Sequence, residues 1–220
     1  MGKAKKMARE REFQFVGHYS CLDFVNTQFA KEDRRRIDLL RSFADLINWL
    51  GESRLLDRAQ LQSAPKLWGS RHAVERIFQD ALALRTALFA MAEKLATQRP
   101  VPRESLEAIN KMIEKRPACV LRARSSGRFE EMTRLDLHEP EQLMVPIAES
   151  ASDLLCHGDL ALVKRCAHPA CGAFFYDTSK NHTRRWCSTT DCGNRMRVAA
   201  HYRRHQATAP QAPSGKSFLG

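Results

Sequence analysis

The sequence predicts a mainly α-helical fold with small β-hairpins (α+β), in which a helical N-terminal domain precedes a small cysteine-rich module. Two patterns indicate this class. Apolar residues recur at three- and four-residue steps over long stretches, and four cysteines lie in two pairs toward the C-terminal end. The 220 residues suffice for one domain of about 150 residues and a small module. We expect the domain at 13–157 and the module at 162–205.

Helix signals dominate the first half of the N-terminal domain. Residues 13–17 are compatible with a short strand. Ser42 and Asp45 have the spacing of a capping box that opens a helix. The longest helix is predicted to begin at Ser70 and to end before Pro100. Its apolar residues follow the spacing of a core-facing stripe: Val74, Ile77, Phe78, Ala81, Leu88, Phe89, Ala92 and Leu95.

Two further helices and a hairpin complete this domain. One helix is predicted over 103–116 and the last over 141–156, with Pro146 near its start or kinking it. Between them, residues 119–137 alternate apolar and polar around Ser125-Ser126-Gly127, which is typical of a β-hairpin. Three residues of the first of these helices are expected to face inward: Leu106, Ile109 and Ile113.

The net charge of +11 is distributed unevenly along the chain. Residues 1–12 carry five basic and two acidic groups, residues 13–163 carry 21 of each, and residues 164–205 carry nine basic and two acidic groups. This asymmetry favours an anionic partner for the module. The tails, 1–12 and 207–220, are predicted to be disordered. Neither a secretory signal nor a membrane-length apolar run is expected, which favours a cytoplasmic protein without a membrane partner.

The paired cysteines Cys166, Cys171, Cys187 and Cys192 predict a structural Zn²⁺ site. Four soft thiolates in two pairs suit tetrahedral zinc. Two disulfides or four unrelated cysteines are the alternative, but clustered cysteines in a reducing compartment more often bind metal. An all-cysteine ligand set closes the coordination sphere, so the metal is expected to stabilise rather than catalyse. The isolated Cys21, Cys119 and Cys156 are expected to be small buried apolar residues.

The residues between the cysteines predict a treble-clef-like arrangement. Residues 173–176 are apolar and aromatic, which predicts a strand beside the metal, and 177–181 have turn chemistry. A helix is predicted from Cys192 to about His205. A knuckle, a hairpin and a helix with the last ligand in its first turn make up this module.

Three sequence segments make the module similar to the CGNR zinc-finger family. They are Phe175–Asn181 after the first cysteine pair, Arg185–Ser188 around the third cysteine, and the tetrad Cys192–Arg195. The resemblance covers about residues 165–204. The chain has Thr189 where the family commonly has Met, and Arg197 where it often has Lys.

The N-terminal domain resembles the domain that usually accompanies this finger, called ABATE and described as a "putative stress-induced transcription regulator" domain. The resemblance covers about residues 13–155 and rests on the segment Leu22–Thr27 and on Asn48-Trp49-Leu50. Within the first segment, Asp23 and Asn26 are interpreted as turn or capping residues in preference to ligand contacts.

Helical geometry divides the side chains of the last helix between two faces. Val198, Ala199 and Tyr202 cluster on one side and are expected to face the metal and the hairpin. The opposite side presents basic residues that reach phosphates or base edges, or form an ordinary solvated face. The predicted nucleic-acid contacts of the module are Lys180, Arg184, Arg185, Arg197, His201, Arg203 and Arg204. The predicted structural supports are Trp186, Gly193, Asn194, Arg195 and Asp177, with Arg195 pairing with Asp177 or stacking on Trp186.

These features and the resemblance together predict a bacterial, stress-related, DNA-binding transcriptional regulator in the cytoplasm, associated with the nucleoid when bound. The N-terminal domain would sense a small-molecule or protein signal, or form a homodimer. The alternative is a zinc-stabilised protein- or RNA-interaction module without sequence-specific DNA binding. An enzyme is not expected, because the sequence has no His-Glu-x-x-His, Gly-x-Ser-x-Gly or phosphate-binding glycine motif.

Overall fold

Helices dominate the structure, which is a computed structural model. It describes residues 13–30, 36–57, 60, 71–117, 119–133 and 139–207. The predicted disordered tails lie outside these residues, except for Ala207. The chain divides into two compact units, residues 1–187 and residues 188–220. The predicted mainly helical fold with small antiparallel hairpins is confirmed.

A long central helix positions the other helices of the first unit. Helix α3 (Arg71–Ala96) packs against α1 (Ser20–Val25), α2 (Phe43–Glu52) and α4 (Arg103–Ile113), and α5 (Val145–His157) packs against α1 and α4. The predicted stripe of α3 accordingly lies in the core. The largest fully buried side chains of the unit are Trp49, Phe24, Phe174, Phe175, Leu22, Leu40, Leu46, Leu50, Ile77, Leu88, Met91 and Leu143.

Among the described residues of the first unit, three two-stranded antiparallel hairpins accompany these helices. Strands β1 (Gln28–Ala30) and β2 (Arg36–Asp38) form the first, and β3 (Cys119–Ala123) and β4 (Phe129–Thr133) form the second. The third joins β5 (Val163–Arg165) to β6 (Phe174–Tyr176). The second hairpin confirms the prediction around Ser125-Ser126-Gly127, and its turn contains Gly127 with a φ of 75°, a conformation that glycine adopts without a steric penalty.

Local signals explain where the helices begin and end. The Ser42 hydroxyl accepts a hydrogen bond from the Asp45 N–H at 3.3 Å, which confirms the predicted cap of α2. A short 3₁₀ turn (Pro140–Met144) leads into α5, whose first turn contains Pro146. Gly158 ends α5, and a Cβ there would lie 2.6 Å from the Leu154 carbonyl oxygen. The close approach therefore requires glycine.

Three predictions for this unit are wrong. Cys21 is buried as expected, but Cys119 and Cys156 are exposed, because they lie on the surface of the second hairpin and of α5.

Residues 13–17 do not form a strand. Instead, the Gly17 N–H donates to Asp23 Oδ1 at 2.7 Å, and the Gly17 carbonyl accepts from the Tyr176 N–H at 3.0 Å. One main-chain group of Gly17 thus bonds to a side chain and the other to the end of β6, so no strand ladder forms here. Leu106 does not face inward but is 41% exposed, because α4 turns Ser105, Ile109 and Met112 toward the core.

An ion pair between a buried arginine and a partly exposed aspartate holds the first hairpin against the central helix. The guanidinium of Arg85, which is 6% exposed, donates to Asp38 Oδ1 at 2.7 Å and to Asp38 Oδ2 at 2.5 Å. It also donates to the Thr27 hydroxyl at 2.9 Å. Because bidentate geometry and a third acceptor satisfy the buried charge, the pair is tolerated in the core.

The second unit is built from a wide helical turn followed by a helix. The turn (Thr189–Gly193) begins at Ser188, whose hydroxyl accepts from the Asp191 N–H at 3.2 Å. It leads directly into α6 (Asn194–Ala207). Throughout the described part of the chain, no helix is both long enough and apolar enough to cross a membrane.

Candidate metal centre and the basic helix

The four predicted ligands lie together. The sulfur atoms of Cys166, Cys171, Cys187 and Cys192 are all within 4.8 Å of one another, and all four residues are buried. The Cys171 and Cys187 sulfurs are 3.6 Å apart. A tetrahedral zinc ion with Zn–S bonds of about 2.3 Å holds its sulfurs about 3.8 Å apart. The cluster therefore fits a structural Zn²⁺ site.

Three of the clustered thiols shift one another's pKa. Hydrogen bonds from the Cys171 and Cys187 thiols lower the pKa of Cys166. The pKa of Cys171 is raised to about 12, first because its thiol donates to Cys166, and that of Cys187 is raised for the same reason. Without a cation, one thiolate thus keeps its neighbours protonated. Zinc supplies the positive charge that allows all four to bind as thiolates.

The first pair of ligands is held in a tight loop. The Cys171 N–H donates to the His168 carbonyl at 3.0 Å, and the Ala170 N–H donates to His168 Nδ1 at 3.1 Å. The loop closes through Gly172, which has a φ of 69°. This is the left-handed region that favours glycine. The Cys166 N–H donates to the Ala173 carbonyl at 2.8 Å, which places the first ligand beside the start of β6.

The hairpin that follows is built into the helical core of the first unit. The side-chain amide of Asn26 donates to the Phe174 carbonyl and accepts from the Phe174 N–H, both at 2.8 Å. The Phe174 ring is 1% exposed and meets Phe89 of α3 edge-on at 5.5 Å. Asn26 thus pairs with β6 as a strand would, so its side chain makes a long-range link instead of the local turn or cap that the sequence predicts.

Asp177 organises the loop after β6. Its carboxylate accepts from Lys164 Nζ at 2.6 Å, from the Ser179 hydroxyl at 2.5 Å and from the Arg184 N–H at 2.9 Å. Burial alone would raise the pKa of Asp177, but these hydrogen bonds outweigh it and lower the pKa well below its usual range. Arg195, which was one predicted partner of Asp177, is not among these groups.

Arg184 also has an internal role. Its guanidinium donates to the Trp186 carbonyl at 2.8 Å and to the Cys187 carbonyl, and it lies over the Phe175 ring at 4.6 Å. These contacts fix the backbone that carries the third ligand. Arg184 thus supports the finger from within, and its contact with nucleic acid stays a prediction.

Two other predicted contact residues of the first unit are exposed. Lys180 lies in the loop after Asp177. The Arg185 guanidinium lies 5.2 Å from the centre of the Trp186 ring, and Trp186 is partly buried. A cation over an indole face is favourable, so Trp186 positions Arg185.

The tetrad Cys192–Arg195 stabilises the start of α6. The Gly193 N–H donates to the Ser188 carbonyl at 2.9 Å, and Gly193 is buried. The Asn194 amide donates to the Thr190 carbonyl at 2.8 Å. Arg195 Nη2 lies 3.2 Å from Cys192 Sγ, so its guanidinium donates to the fourth ligand. Such a second layer of contacts orients ligands and offsets thiolate charge.

The predicted inward face of α6 is wrong. Val198 is 54% exposed and Tyr202 is 64% exposed, although the 3.6-residue period places them on one side. Arg197 is exposed too, and its Nη2 contacts the Thr189 carbonyl at 3.3 Å. The His201 ring is also exposed and meets Tyr202 edge-on at 6.1 Å. The side chains of Arg203 and Arg204 lie outside the described residues.

The sequence does not single out Lys164 as a structural residue, and it does not predict the long-range partner of Asn26. Lys164 was counted only as part of the module's charge, yet its ammonium group also donates to the His182 carbonyl at 2.6 Å. Alternation within the strand that precedes the first cysteine could have indicated that Lys164 shares a face with a residue of the facing strand. For Asn26, no local pattern identifies the partner 148 residues away.

A helical body and an all-cysteine metal site that leads into an arginine-rich helix define a zinc-finger protein with a helical N-terminal domain. Two family models match it: ABATE, described as "Putative stress-induced transcription regulator", over residues 19–158, and the CGNR zinc finger over residues 163–205. The chain belongs to the ABATE family and carries a CGNR zinc finger, which confirms both resemblances. These families describe a zinc-binding regulator and are not enzyme families. Comparison with curated proteins gave no match.

Proposed function

We propose that the protein is a zinc-dependent, DNA-binding transcriptional regulator whose helix α6 contacts DNA. The observation that carries the proposal is the composition of α6: it contains four arginines and no acidic residue. A single helix fits the major groove of B-DNA, and arginines contact both phosphates and guanine edges. The helical domain, with equal numbers of basic and acidic groups over 13–163, is not expected to be the main DNA surface.

The exposed side chains of α6 support the same role. Arg197, Val198, His201 and Tyr202 are all exposed. An apolar side chain between arginines can contact a thymine methyl group or a sugar, while the arginines neutralise phosphates. Within the finger, Arg195 holds the fourth ligand and is excluded from the proposed surface. The proposed contacts are therefore Arg197, His201, Arg203 and Arg204, with Lys180 and Arg185 contributing charge from the first unit.

The helical domain is proposed to receive the signal that regulates DNA binding. The support comes from the family match over 19–158, whose description is that of a stress-induced transcription regulator. A domain with no net charge can respond to a small molecule or a protein without competing for the nucleic acid.

The decisive experiment is a salt titration of binding to duplex DNA by the zinc-loaded protein and by the Arg197→Ala/Arg204→Ala variant. Each lost phosphate contact should reduce the slope of log K against log salt by about 0.9. The double variant should bind at least about tenfold more weakly, with unchanged zinc content. The matched control is Arg41→Ala/Arg103→Ala, which removes two exposed arginines of the helical domain.

Three outcomes would count against the proposal. Absence of duplex binding at low salt would favour the protein-interaction alternative. Tighter binding to single-stranded RNA than to duplex DNA would favour the RNA-interaction alternative. Loss of zinc from the Arg197→Ala/Arg204→Ala variant would show that these arginines build the finger instead of extending from it.

A further inference from the structure

One side of α6 is partly buried and the opposite side is exposed. Among residues 194–202, whose side chains the structure describes, Met196 and Ala200 are the partly buried ones. Since successive residues of a helix are about 100° apart, Val198 points directly away from these two. Val198 is 54% exposed. It therefore forms the centre of an outward face, which consists of Arg197, Val198, His201 and Tyr202.

Arg197 lies at one margin of this outward face and points in a defined direction. Its Nη2 donates to the Thr189 carbonyl, 3.3 Å away in the turn that precedes α6. The contact uses one of the five N–H donors of the guanidinium, so the planar fork can still bind a second partner. Because the fork is already oriented, less side-chain entropy is lost when it binds.

Arg197 and Val198 are also the members of the outward face that lie nearest the N-terminal end of α6. Earlier in the first turn, Arg195 donates to the fourth ligand at 3.2 Å and Asn194 donates to the Thr190 carbonyl at 2.8 Å. These contacts hold both side chains within the finger. The N-terminal residues of a recognition helix are those that contact base edges. Arg197 and Val198 therefore occupy the positions from which bases are read.

We propose that Arg197 and Val198 read the base sequence of the DNA, an inference that rests on the proposed function of α6. Arg197 donates two hydrogen bonds to the O6 and N7 atoms of a guanine, and Val198 contacts the methyl group of a thymine. Neighbouring side chains of a helix reach neighbouring base pairs, which are about 3.4 Å apart. The recognised duplex therefore contains a G·C pair next to an A·T pair, with both side chains in the major groove.

The composition of the outward face favours base reading over phosphate binding alone. A surface that binds only phosphates needs cations, and an exposed valine at its centre contributes neither charge nor a hydrogen bond. In the major groove, the same valine removes its apolar surface from water against a thymine methyl group. One turn further along the helix, the rings of His201 and Tyr202 meet edge-on at 6.1 Å, and both are suited to sugar and phosphate contacts.

The first test selects duplexes from a randomised library with the full-length, zinc-loaded protein. The enriched sequences should share a G·C pair next to an A·T pair. Replacing that guanine by adenine should weaken binding roughly 5- to 150-fold, which is the discrimination that one bidentate contact provides. Two single-atom or single-group changes test the contacts separately: 7-deazaguanine lacks the N7 acceptor and uracil lacks the methyl group. Each should weaken binding at least about twofold.

A second test changes the protein while keeping its charge. Arg197→Lys retains one positive charge but loses the planar fork. It should leave the salt dependence of binding unchanged and lower the preference for guanine over adenine at least about fivefold. The matched control is Arg204→Lys, which should keep that preference. Val198→Ser should lose the preference for thymine over uracil and keep the preference for guanine.

Zinc content and circular dichroism check that these variants are folded, and the base substitutions test the same contacts with the wild-type protein. Duplex binding without an enriched sequence overturns this inference and leaves the proposed function standing. Absence of duplex binding overturns both. A guanine preference that survives in Arg197→Lys, or equal binding of thymine and uracil duplexes by the wild type, shows that these side chains do not read the bases.

Discussion

The two halves of the zinc-binding segment differ in what surrounds them. Residues 163–187 belong to the same compact unit as the helices, and Phe174 and Phe175 within them are at most 1% exposed. Residues 188–207 lie in a separate unit, in which Val198 and Tyr202 are more than half exposed. Three ligands are thus supplied by a rigid framework, whereas the fourth comes from a segment with few buried apolar side chains.

The basic residues of the two halves differ in the same way. Lys164 and Arg184 donate to a buried carboxylate and to backbone carbonyls within the first half. Arg197, in the second half, makes a single 3.3 Å contact with the Thr189 carbonyl and is exposed. Basic residues of the same charge therefore have two different roles. A cation that satisfies internal acceptors is no longer available to an external anion.

Removing a metal ligand should have the largest effect and should distinguish the two halves of the zinc-binding segment most clearly. Cys187→Ser leaves three thiolates, so the protein should lose zinc and the stabilisation of on the order of 10 kcal/mol that a structural zinc provides to a small finger. Protection from hydrogen exchange should then be lost in α6. It should be retained in α3, which packs in its own apolar core. Metal analysis and hydrogen-exchange mass spectrometry measure both effects.

The control for this prediction is Cys156→Ser, which replaces an exposed cysteine outside the metal cluster. It should keep its zinc and the protection of both helices. If Cys187→Ser also kept its full zinc content, the proposed ligand set would be wrong. If α3 lost protection together with α6, the two units would unfold as one.

A smaller effect is expected from Asn26→Ala, which removes the link between the helices and the hairpin. The Phe174 N–H and C=O would both remain buried without partners, and each such group costs about 1–3 kcal/mol. The loss in free energy of unfolding is therefore about 2–6 kcal/mol, measured by chemical denaturation. Asn48→Ala, at an exposed position of α2, should change stability by less than about 0.5 kcal/mol. Similar losses for the two variants would show that Asn26 is not a link.

The smallest expected effect is a dependence of stability on pH that arises from Asp23 in the helical domain. Burial raises the pKa of Asp23 from 3.8 to about 6, although its bonds to the Gly17 and Val16 N–H groups oppose the shift. The folded protein then binds this proton more tightly than the unfolded chain. The stabilisation of the folded state by the protonated Asp23 carboxyl is fully present below pH 3.8. It is lost as the pH rises through about 6.

Asp23→Asn keeps the acceptor for Gly17 and removes the titration. The difference in unfolding free energy between this variant and the wild type should change by about 1–3 kcal/mol between pH 4 and pH 6, with the wild type losing stability as the pH rises. Denaturant titrations at several pH values measure it. A constant difference over this range would contradict the prediction. Asp177 works in the opposite direction, because its lowered pKa costs stability only as the pH falls below 3.8.

Much of the fold and of the metal centre could be predicted locally. The period of α3, the cap at Ser42 and the turn at Gly127 depend on residues close in sequence, and all three are present in the structure. The face of α6 could not be predicted in this way. Periodicity places Val198 and Tyr202 on one side of a helix, but whether that side is covered depends on what packs against it.

The sequence by itself determined the chemistry of the centre, because thiolates in two closely spaced pairs suit zinc wherever the chain brings them together. It also determined which segments are helical and where the positive charge is concentrated. Only the tertiary structure decided which cations are internal and which are exposed, and that Asn26 joins the helices to the finger across 148 residues. Such roles depend on partners distant in the chain, and the identity or spacing of the residues does not specify them.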